Sequence, residues 1–206
     1  MESYIDNIYT TPIYVAEITE QEGLSVIQEE AKLAIEASEF SAKPSWGATH
    51  YLSSTTFMDD VISKHNMKIF PIILNAHLQQ YMDIIGFGMR DYMVTSWFSL
   101  FQKGQYGHLH NHGNADVSGC YYVETSGADG NIYFEDPRPG NETNYAFAGR
   151  YMSGRRNYEP KVGRMLMFPG YLYHGIKTNT TDVDRVSLSF NIKFIDPRCE
   201  LKKGNA

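Results

Sequence analysis

The sequence predicts a mainly β domain whose helices are confined to its N-terminal part, because the texture of the chain changes once. Up to about residue 85 the apolar positions recur at three and four. After Gly86-Phe87-Gly88 come short runs rich in Val, Tyr, Phe and Trp, separated by clusters of Gly, Pro, Asn and Asp. Helices first and strands second is the order expected for helices packed on one side of a β-sandwich or barrel. An aromatic share of 14%, with 15 Tyr, suits a pleated surface that half-buries flat rings. A length of 206 residues corresponds to one domain, 1–206, in which 1–90 supply a strand and supporting helices and 91–198 the β core.

The first strand is predicted over Ile13–Ile18, where apolar and polar residues alternate behind Pro12, whose missing N–H does little harm at a strand start. Thr19 or Glu20 then leads into Leu24, Ile27, Ala31, Ala34 and Ile35, helical spacing that runs to about Ser38. Phe40–Ser54 carries Pro44 and Gly47 and reads as a loop with a short strand at His50–Leu52. A second helical region spans Phe57–Ile85 and breaks before Pro71. Strands follow at Tyr92–Phe101, Val117–Val123, Asn131–Phe134, Arg164–Phe168 and Arg185–Phe194, while Pro137–Lys161 reads as a mobile loop.

Charge and cysteine content exclude several classes of protein. Eighteen basic against twenty-four acidic side chains give a net charge of −6, and no basic run exceeds a pair, so nucleic acid is not an expected partner. Cys120 and Cys199 are too few for a disulfide framework, which fits a reducing, cytoplasmic compartment. No apolar stretch approaches 18 residues, so no membrane span is expected. The sequence leaves a homodimer open. Arg138, Arg150, Arg155 and Arg156 form a basic cluster within Pro137–Tyr158, which reads as a solvated loop before it reads as a grip on an anionic substrate.

Chemistry concentrates in two places. His108, His110 and His112 alternate, so in an extended segment all three project from one face. Neutral imidazole keeps a lone pair near pH 7 and is the commonest metal ligand. Downstream, an apolar strand ends in Phe168-Pro169-Gly170 and a turn delivers His174, with Tyr171 and Tyr173 beside it. Eleven residues on, Arg185 opens a strand on which Arg185, Ser187 and Ser189 share one face and Val186, Leu188 and Phe190 the other. A core-strand Arg is expensive to bury without an anion, and its planar fork suits a carboxylate. Tyr121 and Tyr122 face opposite ways on their strand, so one of them can point at a ligand while core packing explains the other. Trp97 reads as core.

Taken in order, His-x-His, the Tyr-Tyr strand, Phe-Pro before His174 and Arg-x-Ser resemble the iron(II)- and 2-oxoglutarate-dependent dioxygenases. More narrowly the chain is similar to small prolyl-hydroxylase-like oxygenases of bacteria and phages. The likeness runs from Thr-Pro-Ile-Tyr at the first strand through Ser-Trp-Phe at 96–98 and residues 110–123 to Gly-Asn-Ile-Tyr-Phe-Glu-Asp-Pro-Arg at 130–138. It implies a double-stranded β-helix, the jelly-roll or cupin-like barrel, over 91–198. It also implies Fe(II) and 2-oxoglutarate as cofactors, and a hydroxylase that couples decarboxylation of 2-oxoglutarate to oxidation of a C–H bond in a small-molecule or peptidyl substrate.

Carried over residue by residue, the resemblance makes His110 and His174 iron ligands and gives Arg185 and Ser187 the distal carboxylate of 2-oxoglutarate. Most members carry His-x-Asp or His-x-Glu; this chain has His112 in place of the carboxylate. Three solutions stay open: His112 as third ligand, Asp116 in its place, or two histidines alone. His108 and Tyr121 are further candidates near the cofactors. Two other classes compete: a cupin-like isomerase or cosubstrate-independent dioxygenase, which has no need of Arg185-x-Ser187, and a non-catalytic binding module with solvated histidines.

Overall fold

In the computed structural model, residues 10–44, 48–54, 56, 58–138 and 155–195 are described. Eleven strands and three α-helices occupy them: β1 Tyr14–Glu17, α1 Leu24–Glu36, β2 Ser41–Ala42, β3 Tyr51–Leu52, α2 Val61–Lys64, α3 Phe70–Ile84, β4 Tyr92–Phe101, β5 Gly107–His110, β6 Val117–Glu124, β7 Ile132–Glu135, β8 Arg155–Tyr158, β9 Arg164–Pro169, β10 His174–Ile176 and β11 Arg185–Phe194. A single 3-10 turn at Glu20–Glu22 precedes α1. The strands form a seven-stranded sheet, β1-β9-β6-β11-β4-β3-β2, and a four-stranded one, β5-β10-β7-β8, with antiparallel pairing throughout. This is the double-stranded β-helix with helices on one side that the sequence predicts.

The helices exist because each has an apolar face and a defined start. On α1, Ile27, Ala31 and Ala34 are buried at spacings of four and three, one stripe turned to the sheet. Asp60 caps α2 by accepting the Ile62 N–H. The α3 start is closed from a different helix: the Glu30 carboxylate of α1 accepts the N–H groups of Lys68, Ile69 and Phe70, while Pro71 sits in the first turn where no N–H is needed. The α2–α3 break therefore falls before Pro71, as its sequence requires.

The large sheet is buried on both faces, which gives three layers. Phe98, Val117, Tyr121, Val123, Met165, Met167, Val186, Leu188, Phe190 and Ile192 pack with Ile27, Phe70, Leu74 and Leu78 on the helix side. Cys120, Tyr122, Leu166 and Phe168 face the small sheet, where Ile132, Phe134 and Leu172 meet them. Successive residues of β6 and β9 thus belong to different cores, as a period of two demands. Gly119 of β6 has no room for a side chain, since a Cβ there would strike the Phe190 ring and the Leu166 carbonyl. Truncating Phe190, which is fully buried, to Ala would cost about 3–5 kcal/mol.

Four short strands were not legible in the sequence: β2, β5, β8 and β10. The loop expected over Pro137–Lys161 is corrected at its end, because Arg155–Tyr158 is a strand paired with β7. Residues 139–154 of that loop, with Arg150, and Cys199 lie outside the described residues.

Candidate metal centre

The small sheet brings two histidines together by register. His110, the last residue of β5, is the direct partner of His174, the first of β10, and Phe134 of β7 stands on the other side of His174. His112 reaches the same place by another route. β5 ends at His110, and His112 is held by the turn that follows β9: its N–H donates to the Gly170 carbonyl at 2.8 Å, and the Gly170 N–H to the Asp116 carbonyl at 3.1 Å. Gly170 must be glycine, because a Cβ would strike the Ala115 carbonyl. The Pro-Gly turn that delivers His174 therefore also anchors His112.

The three rings converge. Centroids of His110 and His174 are 4.4 Å apart, of His110 and His112 5.0 Å, and of His112 and His174 5.2 Å. Their ligating nitrogens all lie within 4.8 Å of one another. Phe168 meets His174 edge-on at 4.7 Å, Phe134 lies 5.9 Å away, and His174 is 4% exposed. Burial first, then the neighbouring His110 and His112, hold His174 well below the ordinary imidazole value. Burial and then His110 hold His112 down to about 4. Both rings are neutral near pH 7, the form that binds a metal.

Beyond the histidines the large sheet supplies a polar row. Across β11, β4 and β6, Arg185 is paired with Phe101, Ser187 with Ser99 and Tyr122, and Ser189 with Trp97 and Cys120. Arg185 is 1% exposed. One guanidinium nitrogen, Nη1, donates to the Gly130 carbonyl at 2.6 Å, and the guanidinium carbon lies 4.0 Å over the Phe101 ring. The other two, Nε and Nη2, are buried with no partner among the described residues. The nearest carboxylate in electrostatic terms, Asp129, is committed to Thr125 and Ser126. Nε and Nη2 share one edge of the guanidinium, the edge that takes a carboxylate through two parallel bonds.

His50 stacks on Phe101 at 3.9 Å, and its Nδ1 is also buried without a partner. Burial, then Arg185, hold it down to about 4. The three unpartnered buried side-chain atoms among the described residues thus belong to two residues that flank Phe101. Beside them, burial pushes the Tyr122 phenol well up, leaving a neutral donor near Arg185 that is hydrogen-bonded with Cys120.

Several sequence expectations need correction. His108 is exposed, packs edge-on to Tyr106 at 4.8 Å and lies outside the cluster, because the chain turns after His110 in place of continuing the alternation. The Asp116 carboxylate accepts from Lys193 Nζ at 2.9 Å and the Phe194 N–H at 2.8 Å, so it is engaged away from the histidines. Tyr121 points to the helices, where Gln28 Nε2 donates to its hydroxyl at 2.8 Å. Tyr122 is the residue on the Arg185 side. Trp97 is half-buried beside His112, ring centroids 6.0 Å apart, and is not core. Arg138 and Arg155 bridge Asp136 and Glu135. Sequence reasoning named Tyr121 where Tyr122 of the same pair faces Arg185, and it missed His50, Phe101 and Asn191; extending the two-residue period from Arg185 would have reached Asn191.

Comparison with known proteins agrees with this geometry. Residues 95–191 match the family described as "Putative 2OG-Fe(II) oxygenase". No curated protein matches the chain. Among solved structures, a prolyl-4-hydroxylase from Pseudomonas putida is similar with a TM-score of 0.61 at 12% identity, covering 91% of this chain and 95% of that one. HygX from Streptomyces hygroscopicus, crystallised with nickel and 2-oxoglutarate, gives 0.59 at 14% identity over 89% and 83%. A prolyl hydroxylase from Trichoplax adhaerens, in complex with a hypoxia inducible factor peptide fragment, gives 0.62 at 10% identity over 96% and 88%. By the family match, residues 95–191 are similar to the iron(II)- and 2-oxoglutarate-dependent oxygenase superfamily, and the solved structures share the fold of the chain. No described helix is long and apolar enough to cross a membrane.

The residues present fit both groups that this superfamily uses. His110 Nδ1 faces the His108 carbonyl at 2.7 Å and His174 Nδ1 the Leu172 carbonyl at 3.0 Å. A carbonyl only accepts, so each proton sits on Nδ1 and each Nε2 keeps its lone pair for a metal. The unpartnered edge of Arg185 is the complement of an organic carboxylate.

Proposed function

We propose that this chain is an Fe(II)- and 2-oxoglutarate-dependent oxygenase that hydroxylates an organic substrate. In this reading His110, His112 and His174 hold the metal, and Arg185 with Ser187 holds the distal carboxylate of 2-oxoglutarate. The observation that carries it is the buried, unpartnered Nε–Nη2 edge of Arg185 in the same inter-sheet space as three converging imidazoles. A desolvated guanidinium is costly without an anion, and a cupin-like site without a cosubstrate has no use for one.

Fe(II) and 2-oxoglutarate, when bound, would supply the chemistry in which O₂ is the oxidant: one oxygen atom goes to the succinate left after loss of CO₂ and the other to the hydroxylated substrate carbon. The chain's own residues bind and orient. Arg185 would contribute two parallel hydrogen bonds and its charge, and Ser187 and the Tyr122 hydroxyl, on turning from Cys120, would add neutral donors to the same carboxylate. Phe101 covers the guanidinium and excludes water, which strengthens the ion pair. Phe134 and Phe168 do the same for His174. With His112 where a carboxylate is common, the protein ligands carry no negative charge. That loosens the hold on the cation and increases the pull on an anionic cosubstrate.

The test is to incubate the purified protein with Fe(II), ascorbate and 2-oxoglutarate and to quantify succinate. Slow release without any prime substrate is expected, and it should vanish in His174→Ala and Arg185→Ala. Absence of both succinate and 2-oxoglutarate binding in the wild type would overturn the reading.

A further inference from the structure

Two of the three clustered histidines have their tautomers set by the main chain, through the His108 and Leu172 carbonyls. His112 differs. Its Nδ1 faces a side-chain amide, with Asn191 Nδ2 at 3.5 Å, and Asn191 Oδ1 in turn accepts from the Ser118 hydroxyl at 2.8 Å. An amide's oxygen and nitrogen have nearly the same shape, and a serine hydroxyl donates or accepts equally well. Both orientations of Asn191 therefore satisfy Ser118, but they impose opposite tautomers on His112. With Nδ2 donating to Nδ1, the ring proton sits on Nε2, which then cannot ligate. With the amide turned over, Oδ1 accepts from Nδ1–H, Nδ2 donates to Ser118 Oγ, and Nε2 is free.

We propose that Asn191, backed by Ser118, is the positioning residue that selects the metal-binding tautomer of His112 by presenting its amide oxygen to Nδ1–H. This rests on the reading of His112 as a metal ligand. The placement is specific: Asn191 pairs with Ser118 of β6 and Thr95 of β4 and lies on the same face of β11 as Arg185. One strand thus carries the cosubstrate grip at one end and the support of His112 at the other. Asp116, the carboxylate four residues beyond His112, is taken by Lys193 and the Phe194 N–H, so the amide is left to do this work.

The test is a titration of the metal-free protein with Co(II), read by calorimetry and by the Co(II) ligand-field absorption, alongside thermal unfolding without metal. Asn191→Leu keeps the bulk but cannot accept, and should weaken Co(II) binding about 10–100-fold with an altered absorption band. Asn191→Asp fixes an acceptor and adds charge, and should tighten binding about 10-fold. Ser118→Ala should cost a few-fold, and the metal-free unfolding temperature of Asn191→Asp should stay near that of the wild type. His112→Ala is the control that separates the two claims. If it loses Co(II) while the Asn191 variants titrate like wild type, the positioning role is overturned and the ligand assignment stands; if it binds like wild type, the ligand assignment itself fails. Should Asn191→Leu not fold, Asn191→Asp and Ser118→Ala decide, tighter and weaker binding supporting the proposal and unchanged binding in both overturning it.

Discussion

His110 and His174 are register partners across β5 and β10, with ring centroids 4.4 Å apart, although they lie far apart in the sequence. Removing His174 takes a ligand from a separate strand that its neighbours cannot replace. His174→Ala is therefore expected to abolish retention of Co(II) or Ni(II), measured by equilibrium dialysis with metal analysis. Stoichiometric metal in that variant would show the assignment to be wrong.

The neutral third histidine has its own test. His112→Asp restores the negative charge that most of the superfamily carries, and tighter metal binding is expected in the same dialysis. An unchanged affinity would mean that His110 and His174 bind alone.

How much of this was legible follows from period and register. The face shared by Arg185, Ser187 and Ser189 could be read directly, because β11 is long and its alternation is clean. The family resemblance points to His110 and His174 as ligands, but their register has no sequence signal, since β5 and β10 are only four and three residues long. His112 converges through the Gly170 turn, a tertiary tether that no local pattern encodes. Tyr121 and Tyr122 are equivalent to a periodicity argument; only the pairing of Tyr122 with Ser187 decides which one faces Arg185. Trp97 misleads for a related reason, as a large aromatic on a core strand lines the site as readily as it fills a core.

The two tyrosines give a clean contrast. Tyr122→Phe should weaken 2-oxoglutarate binding by about 0.5–1.5 kcal/mol, the worth of one hydrogen bond. Tyr121→Phe should leave cosubstrate affinity unchanged and cost stability of similar size through the lost bond with Gln28. Calorimetric titration and urea unfolding of both variants check it. The opposite pattern would return Tyr121 to the site.

The metal-free protein should lose stability in acid, and His50 should account for part of the loss. Burial and Arg185 hold its ring down to about 4, against about 6.5 in an unfolded chain. Between those values the unfolded chain binds a proton that the folded chain refuses. Stability is thus full above about pH 6.5, falls as pH drops, and levels off below about 4, with about 3 kcal/mol at stake. His50→Gln removes that titration, so its urea midpoint should fall less between pH 7 and pH 4.5 than that of the wild type. Parallel losses in the two proteins would refute the assignment.

The most direct test of the whole account is the affinity of anaerobic, Fe(II)-loaded protein for 2-oxoglutarate, followed by the metal-to-ligand charge-transfer band in wild type and in Arg185→Ala. A loss of about 2–5 kcal/mol of binding, with metal content unchanged, is predicted from removing one partner of a buried charge pair. Arg185→Lys should recover only part of it, because an ammonium cannot make two parallel bonds. Equal affinity in wild type and Arg185→Ala would contradict the account.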